Sequence, residues 1–244
     1  MKYLSMILIL FINSVLWGEP QEIPIFTYHT HAPFIIGEQI GLSYDLAEYL
    51  NELAGENYNF TVLPMPRARV DKMLYQNEEG IIPWVNPGWF SDIEESDMMW
   101  TDGILMEDGN AVLSNVNTTI EYTGPESVEG MKFGGVRGHH YVNIDTLVDQ
   151  GEIIRIDADN HIDNIRKLTK NRIDFTITPY WGALFLLKSN NMEDEIHISS
   201  EMHSRYNRRV IITHQSREMK EFLELVIQKM KTDPMWNTVM SKYN

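Results

Sequence analysis

In the first part of the chain, stretches in which apolar residues recur with the strand period of two alternate with stretches that have the helix period of 3.6. In residues 44–53, Leu46, Leu50 and Leu53 mark one helical face, and Gly55 ends the pattern. The periods predict strand, helix, strand, helix and strand at residues 22–28, 44–53, 58–63, 67–76 and 80–84. This order is typical of an α/β unit built on a mostly parallel sheet.

A second series of the same kind follows a loop-like stretch at residues 85–102 and a short strand predicted at 111–113. It predicts strands at 132–136, 153–156 and 175–178 and helices at 140–150, 160–171 and 181–187. We therefore expect an α/β protein of two lobes, each with a mostly parallel sheet flanked by helices.

The clearest helical pattern lies near the C-terminus. Apolar residues from Met219 to Met230 recur at spacings of three and four, and Ser216 precedes them as a helix cap. A strand is predicted just before, at residues 210–212, and Asp233 with Pro234 predicts the start of a last short helix. Both helices follow the second lobe, so we expect them to pack back on the first.

The N-terminal residues have the features of a secretory signal peptide. Lys2 provides a positive charge, and residues 6–12 are an unbroken apolar run within the hydrophobic segment 3–17. Because that segment is short for a transmembrane helix, we predict a signal peptide at residues 1–18, with an uncleaved anchor as the alternative. The chain has no cysteine. Disulfides and a lipid-bearing cysteine are thus excluded, which fits a soluble periplasmic protein.

Composition and charge narrow the range of partners. The 244 residues are 43% apolar and 23% charged, which is typical of a globular protein, and the net charge is −15. That charge argues against nucleic acid and against an anionic membrane surface, because nothing here would neutralise a run of phosphates. We expect a small-molecule ligand, no cofactor, no nucleic-acid partner and a monomer.

A glycine-rich stretch at residues 132–141 predicts a turn between a strand and a helix. Its glycines fit neither G-x-G-x-x-G nor the P-loop pattern, which disfavours a phosphate-bearing cofactor. A helix start exposes unsatisfied N–H groups and the positive end of the helix dipole. We therefore predict that this turn contacts an anionic or polar small molecule through Arg137, His139, His140 and Tyr141. A plain strand-to-helix turn is the alternative.

Aromatic and cationic residues cluster at the other predicted strand ends. In open α/β sheets ligands bind outside the carboxyl ends of strands, so two such lobes that face each other would enclose a ligand. The alternatives are core or inter-lobe packing for the aromatic residues and plain surface positions for the arginines. The positive end of the helix dipole disfavours a cation in the first turn of a helix, where Arg67 and Arg69 lie. Their position therefore favours a specific anionic or carbonyl partner. The predicted ligand-binding residues are His29, His31, Phe34, Arg67, Arg69, Trp84, Asn86, Trp89, Tyr180 and Trp181.

Catalysis and metal binding have less support. There is no G-x-S-x-G or H-E-x-x-H motif, and we predict no catalytic residue. His29 and His31 would share a face on a strand and could chelate an ion, but no third ligand is implied by spacing, and no metal is predicted. The acidic residues Asp92, Glu94, Glu95 and Asp97 are most simply a solvated loop.

The chain resembles family 3 of the bacterial extracellular solute-binding proteins, the periplasmic clamshells related to polar amino-acid receptors of ABC importers. The resemblance is carried by Tyr-His-Thr-His-Ala-Pro-Phe at residues 28–34, by Gly-Leu-Ser-Tyr-Asp-Leu at 41–46 and by residues 128–138, which open the second lobe. Residues 165–168, residues 171–174 and the C-terminal helix pair add to it. It covers essentially all of the chain after the signal.

The resemblance implies two lobes joined by two crossovers, with a ligand in the cleft. The first lobe would comprise residues 19–112 and 207–244 and the second residues 113–206. It implies a periplasmic, non-enzymatic protein that captures a small polar or anionic molecule by cleft closure. The partner would be an inner-membrane permease of an ABC-type importer or a sensor protein. A metal-assisted periplasmic enzyme and a clamshell acting through protein–protein contacts remain alternative hypotheses.

Two positions depart from the family's amino-acid binders. The arginine of their T-x-x-R motif has no counterpart in residues 86–96, and their aspartate after a strand of the second lobe is replaced by Thr178-Pro179-Tyr180. In that family these two residues hold the α-carboxylate and the α-amino group. We therefore expect that the ligand is not an α-amino acid bound in the usual way.

Overall fold

The computed structural model describes residues 19–90 and 98–243. The predicted signal peptide and the acidic residues Asp92, Glu94, Glu95 and Asp97 lie outside these residues. The described elements, in chain order, are β1 (Gln21–Thr27), α1 (Leu42–Ala54), β2 (Tyr58–Pro64), α2 (Arg67–Tyr75), β3 (Ile81–Val85), β4 (Met99–Trp100), β5 (Met106–Asn115), β6 (Lys132–Gly134), α3 (Ile144–Asp149), β7 (Ile154–Arg155), α4 (His161–Thr169), β8 (Phe175–Pro179), α5 (Tyr180–Asn190), β9 (Ile196–Ile198), β10 (Ser204–Ile212), α6 (Arg217–Met230) and α7 (Pro234–Met240).

The strands follow one continuous curled path in the order β2-β1-β3-β10-β5-β8-β6-β7, with β4 paired to β10 and β9 paired to β5. At one end β1 pairs in parallel with β2 and β3, and at the other β6 pairs in parallel with β7 and β8. The long strands β5 and β10 run antiparallel to their neighbours and link the two parallel groups. The fold is therefore mixed α/β with two lobes.

Each parallel group buries apolar side chains on both of its faces, because successive side chains of a strand point to opposite sides. In β1, Ile25 belongs to a cluster with α1 and α6, whereas Phe26 belongs to a cluster with α2. In β5, Val112 packs with Phe133, whereas its neighbour Ala111 packs against α4 and α5. Helices thus cover both faces of each lobe.

The two C-terminal helices pack on the first lobe, as predicted. Met219 and Leu223 of α6 share a buried cluster with residues of β1 and α1, and the ring of Trp236 in α7 lies 5.2 Å from that of Tyr49. The predicted caps are confirmed: the Ser216 hydroxyl accepts a hydrogen bond from the Met219 N–H at 3.2 Å, and Asp233 accepts one from the Met235 N–H at 2.9 Å. Within the described part of the chain, no helix combines the length and apolar character that a bilayer crossing requires.

Both linking strands are longer than the sequence predicted. β5 spans Met106–Asn115 rather than 111–113, and β10 spans Ser204–Ile212 rather than 210–212. The added residues are mostly polar, so the apolar pattern breaks although the backbone pairing continues. The predicted lobe boundaries fall within these two strands, and their positions stay a prediction.

The helix expected directly after the glycine-rich turn begins later. α3 starts at Ile144, so no helix N-terminus lies at Arg137, His139 or His140, and that prediction is wrong. Side chains satisfy the backbone of the intervening loop instead. The Arg155 guanidinium donates to the carbonyls of Val136 and His139, and the Val136 N–H donates to the Tyr141 hydroxyl.

Candidate functional site

A cavity of about 520 Å³ opens between the two lobes at the ends of their strands. The first lobe contributes residues that follow β1 and β3 and one residue of α2, and the second contributes residues beside β6 and β8. The linking strands form its floor. The lining residues are Tyr28, His29, His31, Arg67, Trp89, Asn110, Val142, Pro179, Ser204, Tyr206 and Arg208. We refer to this space as the cleft cavity.

The most deeply buried charge at the cleft cavity is Arg208 of β10, which is 2% exposed. Its Nε lies 2.7 Å from Asp108 Oδ2 in a fully buried ion pair, and its Nη1 donates to the Trp84 carbonyl at 2.5 Å. The guanidinium also lies 4.8 Å from the centre of the Phe34 ring. Arg208 is therefore neutralised and held rigidly by the protein itself, and it positions the aromatic side chains around it.

Trp84 and Phe34 support the cleft from behind, because both side chains are fully buried. The Trp84 indole donates to the Ser43 hydroxyl at 3.1 Å, and its backbone has φ of 67°. A bulky residue rarely adopts that conformation, which costs of the order of 1–3 kcal/mol. The conformation directs the Trp84 carbonyl to Arg208. The strained residue Trp84 therefore lies at the cleft.

Arg67 lies at the start of α2, where a cation was expected to need an anionic or carbonyl partner. Both partners come from the protein: Nε is 2.5 Å from Asp71 Oδ1, and Nη2 donates to the Trp89 carbonyl at 2.7 Å. The guanidinium also stacks over the Phe90 ring at 3.9 Å. Arg67 lines the cleft cavity, and these two hydrogen bonds use two of the five N–H donors of its guanidinium.

Three polar atoms at the cleft cavity are buried and have no hydrogen-bond partner among the described residues: Tyr28 Oη, His29 Nε2 and His31 Nδ1. Buried polar atoms are nearly always paired, so this concentration indicates a place for a ligand or ordered water. Burial raises the pKa of Tyr28 to about 12, opposed by the nearby Arg67 and Arg208. The hydroxyl therefore stays protonated at neutral pH and can donate a hydrogen bond.

Four histidines form a chain that crosses from one lobe to the other. The ring centres of His29 and His31 are 5.9 Å apart, those of His31 and His161 6.5 Å, and those of His161 and His139 5.8 Å. Burial, reinforced by Arg208, lowers the pKa of His31 to about 4, and burial lowers that of His161 to about 3. The pKa of His29 is lowered well below 6.5, again mainly by burial. These three side chains are therefore neutral at pH 7.

Other predicted first-lobe residues lie at the rim or away from the cavity. Trp89 lines the cleft cavity, with its ring 5.1 Å from that of Tyr206. Asn86 uses its amide for structure: Nδ2 donates to the Asn207 carbonyl and Oδ1 accepts from the Gly88 N–H, both at 2.9 Å. Arg69 is exposed and does not line the cleft cavity.

The predicted second-lobe residues are dispersed. Arg137 is exposed and pairs with Asp159 at 3.1 Å in a separate surface groove. His140 is exposed, with Nδ1 3.5 Å from Asp145, and Tyr141 is buried in the lobe's core. Of this turn, only His139 approaches the site, through its ring contact with His161.

Tyr180 and Trp181 also lie away from the cleft cavity. They line a neighbouring cavity beside the linking strands, and the Trp181 indole donates to the Glu107 carbonyl at 2.9 Å.

Several residues that the structure brings to the site were not predicted from the sequence. Tyr206 and Arg208 are two residues apart on β10, so their side chains share one face of the strand. This pattern was missed because the predicted strand began at residue 210. Asp108 lies in the part of β5 that precedes the predicted strand at residues 111–113 and had no predicted structure. His161 follows the helix cap Asn160 directly, and this position at a helix start was the available signal. No group of three or more His, Asp or Glu side chains suited to a metal ion occurs within residues 19–90 and 98–243.

Comparison with known proteins identifies the fold. No protein-family model and no curated protein sequence matches the chain. Among solved structures it is similar to an ancestral arginine-binding protein bound to arginine, at 18% identity and a TM-score of 0.65, over 93% of this chain and 99% of that one. It is similar to the unliganded, open L-cystine solute receptor of Neisseria gonorrhoeae at 13% identity and a TM-score of 0.68, over 93% and 94% of the two chains.

A third similar structure is an ancestral amino-acid-binding protein described as a precursor of cyclohexadienyl dehydratase. It has 14% identity and a TM-score of 0.62, over 91% of this chain and 94% of that one. At such identities the likeness is one of architecture alone. The chain has the two-lobed fold of the periplasmic solute-binding proteins, in a divergent form.

Proposed function

We propose that this protein is a periplasmic solute-binding protein that closes its two lobes around a small polar or anionic molecule. It would present that molecule to an ABC-type importer or a sensor, and it would not act as an enzyme. The single observation that carries the proposal is the group of unpartnered buried atoms Tyr28 Oη, His29 Nε2 and His31 Nδ1 at the cleft cavity. A polar ligand would supply the hydrogen bonds that the protein leaves unmade.

The charges at the cleft cavity support a ligand other than a conventionally bound α-amino acid. Of the residues the structure describes, no Asp or Glu lines this cavity, so an α-ammonium group would have no counter-charge there. Arg67 and Arg208 line it, but each is already paired with a carboxylate of the protein. Neutral donors and acceptors would therefore make most of the direct contacts to the ligand.

The proposal includes export to the periplasm after removal of residues 1–18. It also includes a monomeric mature chain, with a first lobe of residues 19–112 and 207–244 and a second lobe of residues 113–206. Cell fractionation with N-terminal sequencing of the mature protein tests the export step. Detection of the full-length chain in the membrane fraction would instead favour the uncleaved anchor.

A thermal-shift screen of the mature chain against a broad metabolite library tests the binding step. A ligand at a hundredfold excess over its Kd stabilises the folded state by about 2.7 kcal/mol. For a chain of this size that corresponds to a rise in Tm of about 5–10 °C. Tyr28→Phe removes one unpartnered hydroxyl, and we expect it to weaken the best hit by about tenfold, the effect of losing one hydrogen bond.

The matched control is Tyr75→Phe, because Tyr75 is exposed on α2, away from the cleft cavity. It should leave both Tm and affinity unchanged. A library without a single hit would contradict the receptor function. Hits that bind Tyr28→Phe as tightly as the parent protein would place the ligand elsewhere.

A further inference from the structure

A second, smaller cavity of about 220 Å³ adjoins the cleft cavity and shares His31 and Pro179 with it. It lies between Ala32 of the first lobe and the beginnings of α4 and α5 in the second. We refer to it as the side pocket. Its wall includes Ala32, His161, Ile162, Thr178, Gly182 and Leu186. It spans the two lobes, so its shape depends on how closely they approach.

The side pocket contains no charged group among the described residues. Its lining is largely aliphatic, and its two histidines are held neutral by burial, since the pKa values of His31 and His161 are lowered to about 4 and about 3. An ammonium or carboxylate placed there would lose its hydration and gain no counter-charge, which is strongly unfavourable.

Three polar atoms of the side pocket nevertheless lack a partner among the described residues: Thr178 Oγ1, His31 Nδ1 and His161 Nδ1. Thr178 is fully buried, so its hydroxyl cannot turn to bulk solvent. A single ordered water needs only about 10–15 Å³ of probe-occupied space, far less than this pocket provides. The pocket therefore has room for a chemical group larger than water and has hydrogen bonds to offer it.

From this geometry we infer that the side pocket receives an uncharged, partly apolar end of the ligand, one that carries a hydroxyl, an amide or a ring nitrogen. The inference rests on the proposed function and narrows the ligand class. The polar or anionic end would lie in the cleft cavity near Arg67, and the neutral end would lie beside Thr178. Ligands with a cationic end are excluded, although one similar structure is a protein bound to arginine.

Two series of probes, each with a constant head group, test the inference. The first comprises 6-hydroxyhexanoate, hexanoate, 6-aminohexanoate and adipate, and the second comprises 6-hydroxynorleucine, norleucine, lysine and 2-aminoadipate. Within a series, only the far end changes, from hydroxyl to methyl, ammonium or carboxylate. We expect the hydroxyl-ended member of at least one series to bind at least tenfold more tightly than both members with charged ends, as measured by calorimetry on the mature chain.

Leu186→Phe adds bulk to the side pocket and should abolish this preference. The control Leu225→Phe makes the same change at an exposed position of α6 and should preserve it. Thr178→Val keeps the side-chain shape and removes the unpartnered hydroxyl. It should raise the Tm of the ligand-free protein and weaken the hydroxyl-ended probe by about tenfold, while the methyl-ended probe is unaffected.

Tighter binding of an ammonium-ended or carboxylate-ended probe would overturn the inference. So would a lower Tm for ligand-free Thr178→Val, because that result would mean that ordered water already satisfies the hydroxyl. If none of the eight probes binds while another library compound does, the side-pocket assignment fails and the receptor function stands. If no library compound binds, the side-pocket assignment and the receptor function both fail.

Discussion

The two sides of the cleft differ in charge. On the first-lobe side and its linking strands, the buried pair Arg208 and Asp108 and the pair Arg67 and Asp71 complete one another within the protein. Buried polar atoms without a partner among the described residues occur on both sides, on Tyr28, His29 and His31 of the first lobe and on Thr178 and His161 of the second. The first side thus adds completed ion pairs to its unpartnered atoms, and the second is neutral.

This difference separates stability from recognition. A completed network adds rigidity but has few hydrogen bonds left for a ligand, whereas an unpartnered donor costs stability until a ligand pairs with it. Substitutions in the buried pair Arg208 and Asp108 should therefore affect mainly the folding free energy. Substitutions of the residues with unpartnered atoms, on either side, should affect affinity, with little or even favourable effect on folding.

The largest effect is expected from breaking the buried ion pair. Asp108→Asn leaves the Arg208 guanidinium buried beside a neutral amide, and removal of one partner from such a pair typically destabilises a protein by about 3–5 kcal/mol. Urea unfolding followed by circular dichroism measures the change in unfolding free energy. Asp159→Asn breaks the exposed pair with Arg137 and is the matched control, expected to cost less than about 1 kcal/mol. Equal costs for the two variants would mean that burial of the Arg208 pair does not increase its contribution to stability.

The sequence predicts those features that have local causes and misses those that depend on long-range contacts. The α6 pattern and its Ser216 cap are local, and the structure reproduces both. Two α/β lobes and the return of the C-terminal helices to the first lobe followed from such local patterns taken in order. The likeness to solved structures extends over more than nine-tenths of the chain.

The site depends on contacts that no local pattern records. Arg208 is separated from Asp108 by 100 residues and from Trp84 by 124, so its burial arises only once both linking strands pair. Trp84 and Phe34 were correctly associated with strand ends, but packing under Arg208 buries them. Conversely, Arg137 is adjacent to a glycine turn in sequence but points to a separate groove.

A smaller effect is expected from acid, and it acts at the histidine chain that joins the two sides. The pKa values of His31 and His161 are lowered on folding, so the folded state binds fewer protons than the unfolded state, and stability is lost as pH falls below about 6.5. For a histidine whose pKa falls from 6.5 to about 4, the loss between pH 7 and pH 5 is about 2 kcal/mol. Urea midpoints across this range measure it.

His161→Gln keeps a polar side chain and removes one titrating group, which lies between His31 and His139 in the histidine chain. We expect the variant to lose less stability than the parent protein between pH 7 and pH 5. His140→Gln is the control, because His140 is exposed and its side chain lies outside the chain of rings. An identical pH dependence in the parent and His161→Gln would show that His161 does not remain neutral in the folded protein.

The smallest effect is expected at Arg137, where the sequence hypothesis and the structure make different predictions. The glycine-rich turn suggested a ligand contact, which would make Arg137→Ala weaken binding. In the structure the side chain is 70% exposed and pairs with Asp159, and it does not line the cleft cavity. We therefore expect Arg137→Ala to change the unfolding free energy by less than about 1 kcal/mol. The affinity for the best screening hit should stay unchanged. Arg67→Ala, at a residue that lines the cleft cavity, should weaken the same hit. If calorimetry shows weaker binding for Arg137→Ala, the second side of the cleft includes this turn, and its recognition is not purely neutral.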